Sequence, residues 1–200
     1  MEFSHYYYSD PRRWTVLAGT VRQKPSATPS AYVASITRHP QYDADTSDYD
    51  LALMKLSSTL SVDGDSIRPV CLPEYSQSFP DGQTCWITGW GVTSESSSVV
   101  PESLQEAKVS LISTSVCNRA TVYHNSVTAR MVCAGFLAGK IDACQGDSGG
   151  PLVCSEGDGG TTFRLVGATS WGEGCARKNQ PGVYSRVSSM MEWVYSTMDA

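Results

Sequence analysis

The hexapeptide Gly146-Asp147-Ser148-Gly149-Gly150-Pro151 holds the residues best suited to chemistry in this chain. Its glycines permit a sharp turn that aims two backbone N–H groups, those of Gly146 and Ser148, at one point beside a serine hydroxyl. That arrangement suits acyl transfer. A serine oxygen attacks a carbonyl, and preorganised donors stabilise the charge that develops on the carbonyl oxygen, with an effect on the order of 10²–10³ in rate per donor. An ordinary glycine-rich turn of a β protein would not need all six positions in this order.

Such a turn has to be held by a rigid framework, and the rest of the sequence indicates which. Apolar and β-branched runs recur every ten to twenty residues or so between turn clusters: Trp14–Val21, Ala31–Ile36, Asp50–Leu56, Cys85–Trp90, Met131–Phe136, Pro151–Cys154, Phe163–Trp171 and Gly182–Val187. That rhythm predicts an all-β fold, an antiparallel barrel or sandwich. The stretches Lys24–Ser30, Ser94–Ser98 and Glu156–Thr162 read as surface loops. Only the end has helical spacing. Val187, Met191, Val194 and Met198 form a stripe for docking, with Trp193 as a further anchor, and Ser189 followed by Glu192 matches a capping box.

Composition narrows the class further. The 200 residues, 40% apolar and 18% charged, suffice for one domain or a fused pair, read as a single unit over residues 1–200. A formal charge of −5 without Lys/Arg clusters gives no footprint for nucleic acid or an anionic membrane. The cysteines, Cys71, Cys85, Cys117, Cys133, Cys144, Cys154 and Cys175, are spaced for disulfides of an exported protein and not for zinc. Their odd number leaves one over. Neither an apolar run of spanning length nor a signal segment is present, although the cysteine usage implies export.

The motif and its surroundings resemble the chymotrypsin/trypsin family of serine proteases over nearly the whole chain. The resemblance implies two antiparallel β-barrels, the first incomplete, with a C-terminal helix. It makes Ser148 the nucleophile, Gly146 and Ser148 the oxyanion donors, and Asp50, in Asp48-Tyr49-Asp50-Leu51-Ala52-Leu53, the aspartate that orients the catalytic histidine. Asp48 lies one step out, in a polar turn. Asp142, six residues before Ser148, falls at the base of the specificity pocket, and Ser170-Trp171-Gly172 with Gly182 forms its walls, so protein or peptide substrates with Arg or Lys at the cleavage site are implied. The same resemblance pairs Cys85 with Cys154, Cys117 with Cys133, and Cys144 with Cys175. It reads Cys71, in Arg68-Pro69-Val70-Cys71-Leu72-Pro73, as the tether to a stem segment. The stretches Cys85–Gly91 and Thr128–Phe136 look most like type II transmembrane serine proteases, which implies an extracellular or cell-surface domain anchored upstream. Pro181 stands where sodium-activated members carry Tyr. No metal or cofactor is expected.

Departures from the family pattern lie at the start. An Ile-Val-Gly-Gly-like terminus and an Ala-Ala-His-Cys segment are not found, so the expectation is an incomplete, inactive or nearly inactive chain whose Asp147 lacks the terminal amine it would normally pair with. Ser4-His5-Tyr6 resembles a degraded histidine-cysteine segment, which leaves His5 and an upstream histidine as alternatives for the base. His39 and His124 read as structural or solvated. A non-catalytic binding module on the same fold is the competing reading.

Overall fold

The computed structural model describes residues 9–23, 28–62, 64, 66–156 and 160–199. His5 lies outside them, as does part of the Lys24–Ser30 loop. The fold is all-β, in two parts. β1 (Thr15–Val16), β2 (Ala31–Arg38) and β3 (Ala52–Leu56) form an open antiparallel sheet in that order. β4 (Thr84–Gly89), β5 (Gln105–Ile112), β6 (Met131–Gly135), β7 (Pro151–Ser155), β8 (Phe163–Trp171) and β9 (Gly182–Arg186) close into a barrel in the order β4-β5-β6-β9-β8-β7. Closure leaves the barrel without an unpaired edge.

Alternation explains the barrel interior. On β4, Cys85 and Ile87 point inward; on β5, Val109 and Leu111; on β7, Leu152 and Cys154, all of them buried. Val132, Val166 and Tyr184 complete this core. The outward positions also pair, because Trp86 and Lys108 are register partners and the ammonium sits 5.0 Å from the ring centroid. β6 departs from alternation and is buried at every position, since its second face is covered by Cys117, Val122, Tyr123 and Val127. Leu152 is wholly buried, so Leu152→Ala should destabilise the domain by about 3 kcal/mol, read as a lower urea midpoint with an unchanged slope.

Three disulfides join Cys85 to Cys154, Cys117 to Cys133, and Cys144 to Cys175, and Cys71 is an exposed free thiol. Cys85 and Cys154 are direct partners across β4 and β7 with Cα atoms 4.3 Å apart, the close spacing of an antiparallel pair that lacks mutual hydrogen bonds. The Cys144–Cys175 bond closes 31 residues and ties the segment before Ser148 to the loop after β8.

Several local expectations change. The Trp14–Val21 run yields only the two-residue β1; beyond it Val21 and Gln23 bond to Leu104 and Glu102, outside the named sheets. β5 is an additional strand. At the C-terminus a 3-10 turn (Val187–Ser189) precedes the helix Met191–Met198. The capping box does not form: Met190 is the N-cap without a side-chain bond, and the Ser189 hydroxyl donates to the Arg186 carbonyl at 2.7 Å instead. Val187, Met191 and Val194 are buried against Leu51, Leu53 and Leu72, whereas Met198 is exposed, so the docking stripe ends one turn earlier than its spacing suggests.

Candidate active site

Ser148 sits exposed in the turn between the Cys144–Cys175 bond and β7. The turn is fixed by its own backbone: Asp147 N–H donates to Cys144 O at 3.0 Å and Gly150 N–H to Asp147 O at 2.8 Å. Gly146 has φ 97°, a conformation that a residue with a Cβ rarely adopts. Among the described residues no protein acceptor takes the N–H of Gly146 or of Ser148, which leaves both donors available beside the hydroxyl.

β8 connects this turn to Asp50. Gly149 N–H donates to Thr169 O at 2.8 Å, and the hydroxyl of the next residue, Ser170, donates to Asp50 Oδ2 at 2.6 Å. Ser185 on β9 donates its hydroxyl to the Asp50 carbonyl. Asp50 is thus half-buried and bound to two adjacent barrel strands, although it belongs to the loop leading into β3. A carboxylate that accepts one strong bond from a fixed hydroxyl keeps further lone pairs for a second donor.

Asp48 stands at the end of the polar turn expected for it, but its side chain points away from solvent. It is mostly buried, accepts from the Thr128 hydroxyl at 2.7 Å and from Arg130 Nε at 3.2 Å, and forms a second contact with Arg130 Nη2. Its carboxyl lies below the ordinary carboxylate range because these hydrogen bonds and the guanidinium charge outweigh its burial. That side chain is fully committed.

Asp142 and Asp147 border one cavity of about 430 Å³, together with Gly89, Gly91, Lys140 and Ala176. Asp142 accepts from Ala143 N–H at 2.9 Å and from Ala176 N–H at 3.0 Å. Burial pushes its carboxyl up to about 6, and the nearby Asp147 carboxylate adds to the rise against the opposing backbone donors. Gly182 lies directly on it, since a Cβ there would come within 2.7 Å of Asp142 Oδ1. Trp171 Nε1 and Tyr184 Oη are buried without a hydrogen-bond partner among the described residues. Gly172 is exposed beside them, between β8 and the Cys175 loop.

Asp147 does not lack partners, contrary to expectation. Its Oδ1 accepts from Gly91 N–H at 2.7 Å and its Oδ2 from Cys144 N–H at 2.9 Å. The carboxylate fills the space that side chains at residues 89 and 91 would need, because a Cβ on Gly89 would lie 1.9 Å from Oδ1 and one on Gly91 2.5 Å from Cγ. The aspartate by itself does not point to these glycines; the Gly89-Trp90-Gly91 spacing is the signal for them in the sequence.

Neither described histidine meets Ser148 or Asp50 through a hydrogen bond. His39 is 6% exposed, with Nδ1 accepting from Gln41 N–H at 3.2 Å and its ring against Tyr49 and Trp193. His124 is exposed in a turn at φ 49°.

Comparison with known proteins agrees with this architecture. The family model described as Trypsin matches residues 4–194. The chain is 47% identical over 186 residues to "Transmembrane protease serine 5" of Homo sapiens, covering 92% of this chain and 40% of that protein. It is 45% identical over 189 residues to "Transmembrane protease serine 9" of Rattus norvegicus, covering 94% of this chain and 17% of that protein. A third relative, "Transmembrane protease serine 11G" of Rattus norvegicus, is 41% identical over 189 residues, covering 94% of this chain and 44% of the relative. The chain therefore spans less than half the length of each. No helix among the described residues is long and apolar enough to cross a membrane. With a closed six-stranded barrel, an open sheet carrying Asp50, three disulfides and a matching family model along nearly its whole length, the chain belongs to the trypsin family of serine proteases.

Proposed function

We propose that this domain is a serine endopeptidase that cleaves after Arg or Lys, with Ser148 as nucleophile and Asp50 as the aspartate that holds a histidine in the useful tautomer. The observation that carries this reading is the path from the Ser148 turn through Thr169 and Ser170 to the Asp50 carboxylate. In the reaction the Ser148 hydroxyl gives its proton to the imidazole as its oxygen bonds to the scissile carbonyl carbon. The N–H groups of Gly146 and Ser148 take the resulting oxyanion. Collapse of the tetrahedral intermediate breaks the C–N bond, the imidazolium protonates the leaving amine, and water then hydrolyses the acyl-enzyme by the same steps.

Arg/Lys selectivity is assigned to Asp142, which is partly buried and surrounded by backbone rather than by a cation, so an incoming guanidinium or ammonium supplies the missing charge. Ser170, Trp171, Gly172 and Gly182 are assigned to the walls, and the bare Gly182 leaves beside Asp142 the space a Cβ would take, 2.7 Å from Oδ1 and 3.0 Å from the Tyr184 hydroxyl. The amine that activates the domain is assigned to Asp147, at the cavity it shares with Asp142. The base is assigned to a histidine outside the described residues, His5 or one upstream, because neither described histidine is hydrogen-bonded to Asp50; with an upstream base the 200-residue chain alone is idle or nearly so. An extracellular or surface location and a tether through the exposed Cys71 belong to the same reading.

Digestion of a peptide library by the activated full-length protein tests it. Cleavage confined to bonds after Arg and Lys is the expected result, and cleavage after aromatic or small residues contradicts the role given to Asp142. Absence of any hydrolysis favours the binding-module alternative.

A further inference from the structure

Outside the hydrogen-bonded path to Ser148, a guanidinium and three rings form a column beside Asp50. Arg130, at the entry to β6, lies with its guanidinium carbon 4.9 Å from the Tyr49 ring centroid. Tyr49 stacks on His39 with centroids 4.7 Å apart and planes 22° apart. Trp193 of the C-terminal helix packs against the same imidazole, again at 4.7 Å, with a 53° tilt. Four separate segments of the chain therefore meet at the turn that carries Asp50.

The column grips the residues on both sides of Asp50. Arg130 pairs with Asp48 while its guanidinium covers Tyr49. On the far side, His39 N–H donates to Leu51 O at 2.9 Å, and Leu51 N–H to Tyr49 O at 2.8 Å. The backbone between these anchors needs holding, because Tyr49 has φ 53° and Ser47 φ 56°. Left-handed non-glycine residues cost about 1–3 kcal/mol each and persist where the surroundings over-determine them. A bulky tyrosine is a poor choice for that conformation on local grounds alone. Its ring contacts supply the reason.

We propose that Arg130, His39 and Trp193 are positioning residues for Asp50: through Tyr49 and Asp48 they clamp the turn so that the Asp50 carboxylate stays against Ser170. The inference rests on the reading of Asp50 as the aspartate that orients the catalytic histidine. None of the three touches substrate. Their effect is on where the carboxylate stands, and small misplacements of a catalytic group can cost about 10²-fold in rate.

Two measurements on Arg130→Met and His39→Leu test this, with His39→Phe as the variant that keeps a ring. In the 200-residue chain, amide hydrogen exchange over residues 48–53 should rise at least about tenfold in the first two and stay within about twofold of the parent in His39→Phe. Exchange of the Leu152 strand should not change. In the activated full-length protein, kcat for an arginine ester should fall roughly 10- to 100-fold, with KM and the affinity for benzamidine unchanged, because the Asp142 pocket is untouched. Unaltered exchange at residues 48–53, a rise shared equally with the Leu152 strand, or an unaltered kcat overturns the proposal. Ser148→Ala, run alongside, separates the two claims. If that variant keeps its activity, the catalytic reading fails by itself, while exchange still reports whether the column holds the turn.

Discussion

Asp142→Asn should reduce kcat/KM for Arg and Lys substrates by about 10²–10⁴ in the activated full-length protein, the effect of leaving a buried substrate cation without its partner at about 3–5 kcal/mol. Affinity for benzamidine, measured by calorimetry, should fall by a similar factor. The parent's affinity should also weaken as pH drops through about 6, where the Asp142 carboxyl takes up its proton, and the asparagine variant should lose that dependence. Stability should move the other way. A carboxyl whose folded value is raised above its unfolded one favours the folded state most when both are protonated, and that contribution is lost as pH rises through the folded value. Ionised Asp142 is accordingly a burden at neutral pH. The urea midpoint of Asp142→Asn should exceed that of the parent at pH 8, and the gap should close below about pH 4. Equal midpoints at pH 8 would mean that the carboxylate is not held in the unfavourable surroundings assigned to it.

Ser148→Ala should remove about 10⁶ from kcat, and Asp50→Asn about 10⁴, with KM little changed in both. The two losses differ in origin. Without Ser148 no acyl-enzyme forms, whereas the asparagine at residue 50 still receives the Ser170 hydroxyl but presents the wrong donor pattern to an imidazole. Because the residues act as one unit, the double variant should be no slower than Ser148→Ala alone. Single-turnover kinetics with an arginine ester would separate acylation from deacylation, and a double variant slower by the product of the two factors would contradict the shared step.

Much of this arrangement is legible in the residues because strong local rules and global packing agree there. Apolar and β-branched runs between turn clusters locate β4, β7, β8 and β9, and the Gly146–Pro151 motif marks the turn they carry. The three disulfides follow the pairing implied by resemblance, with Cys71 left over. β5 carries Ala107, Val109 and Leu111 at a period of two with Lys108 and Ser110 between them, so it forms no continuous apolar run of the kind that marks the other strands. The capping box failed for a tertiary reason, as Ser189 is drawn into the preceding 3-10 turn and the helix begins after Met190. The partners of Asp48 and Asp147 are not legible locally because they are distant in sequence. Arg130 and Thr128 lie some eighty positions from Asp48, and Gly91 lies 56 positions from Asp147. The role given to His39 needed the fold as well, since its stacking partners come from a loop and from the last helix.

Reaction with a fluorophosphonate probe, followed by digestion and mass spectrometry, tests the central claim most directly. The activated full-length protein should gain one phosphonyl group, located on Ser148 and blocked by benzamidine. The same treatment of the 200-residue chain separates the two candidates for the base: labelling at a similar rate assigns it to His5, and labelling at least about 10³-fold slower assigns it to a histidine upstream. Label on another residue, or an activated protein that hydrolyses arginine esters while Ser148 stays unmodified, would contradict the account.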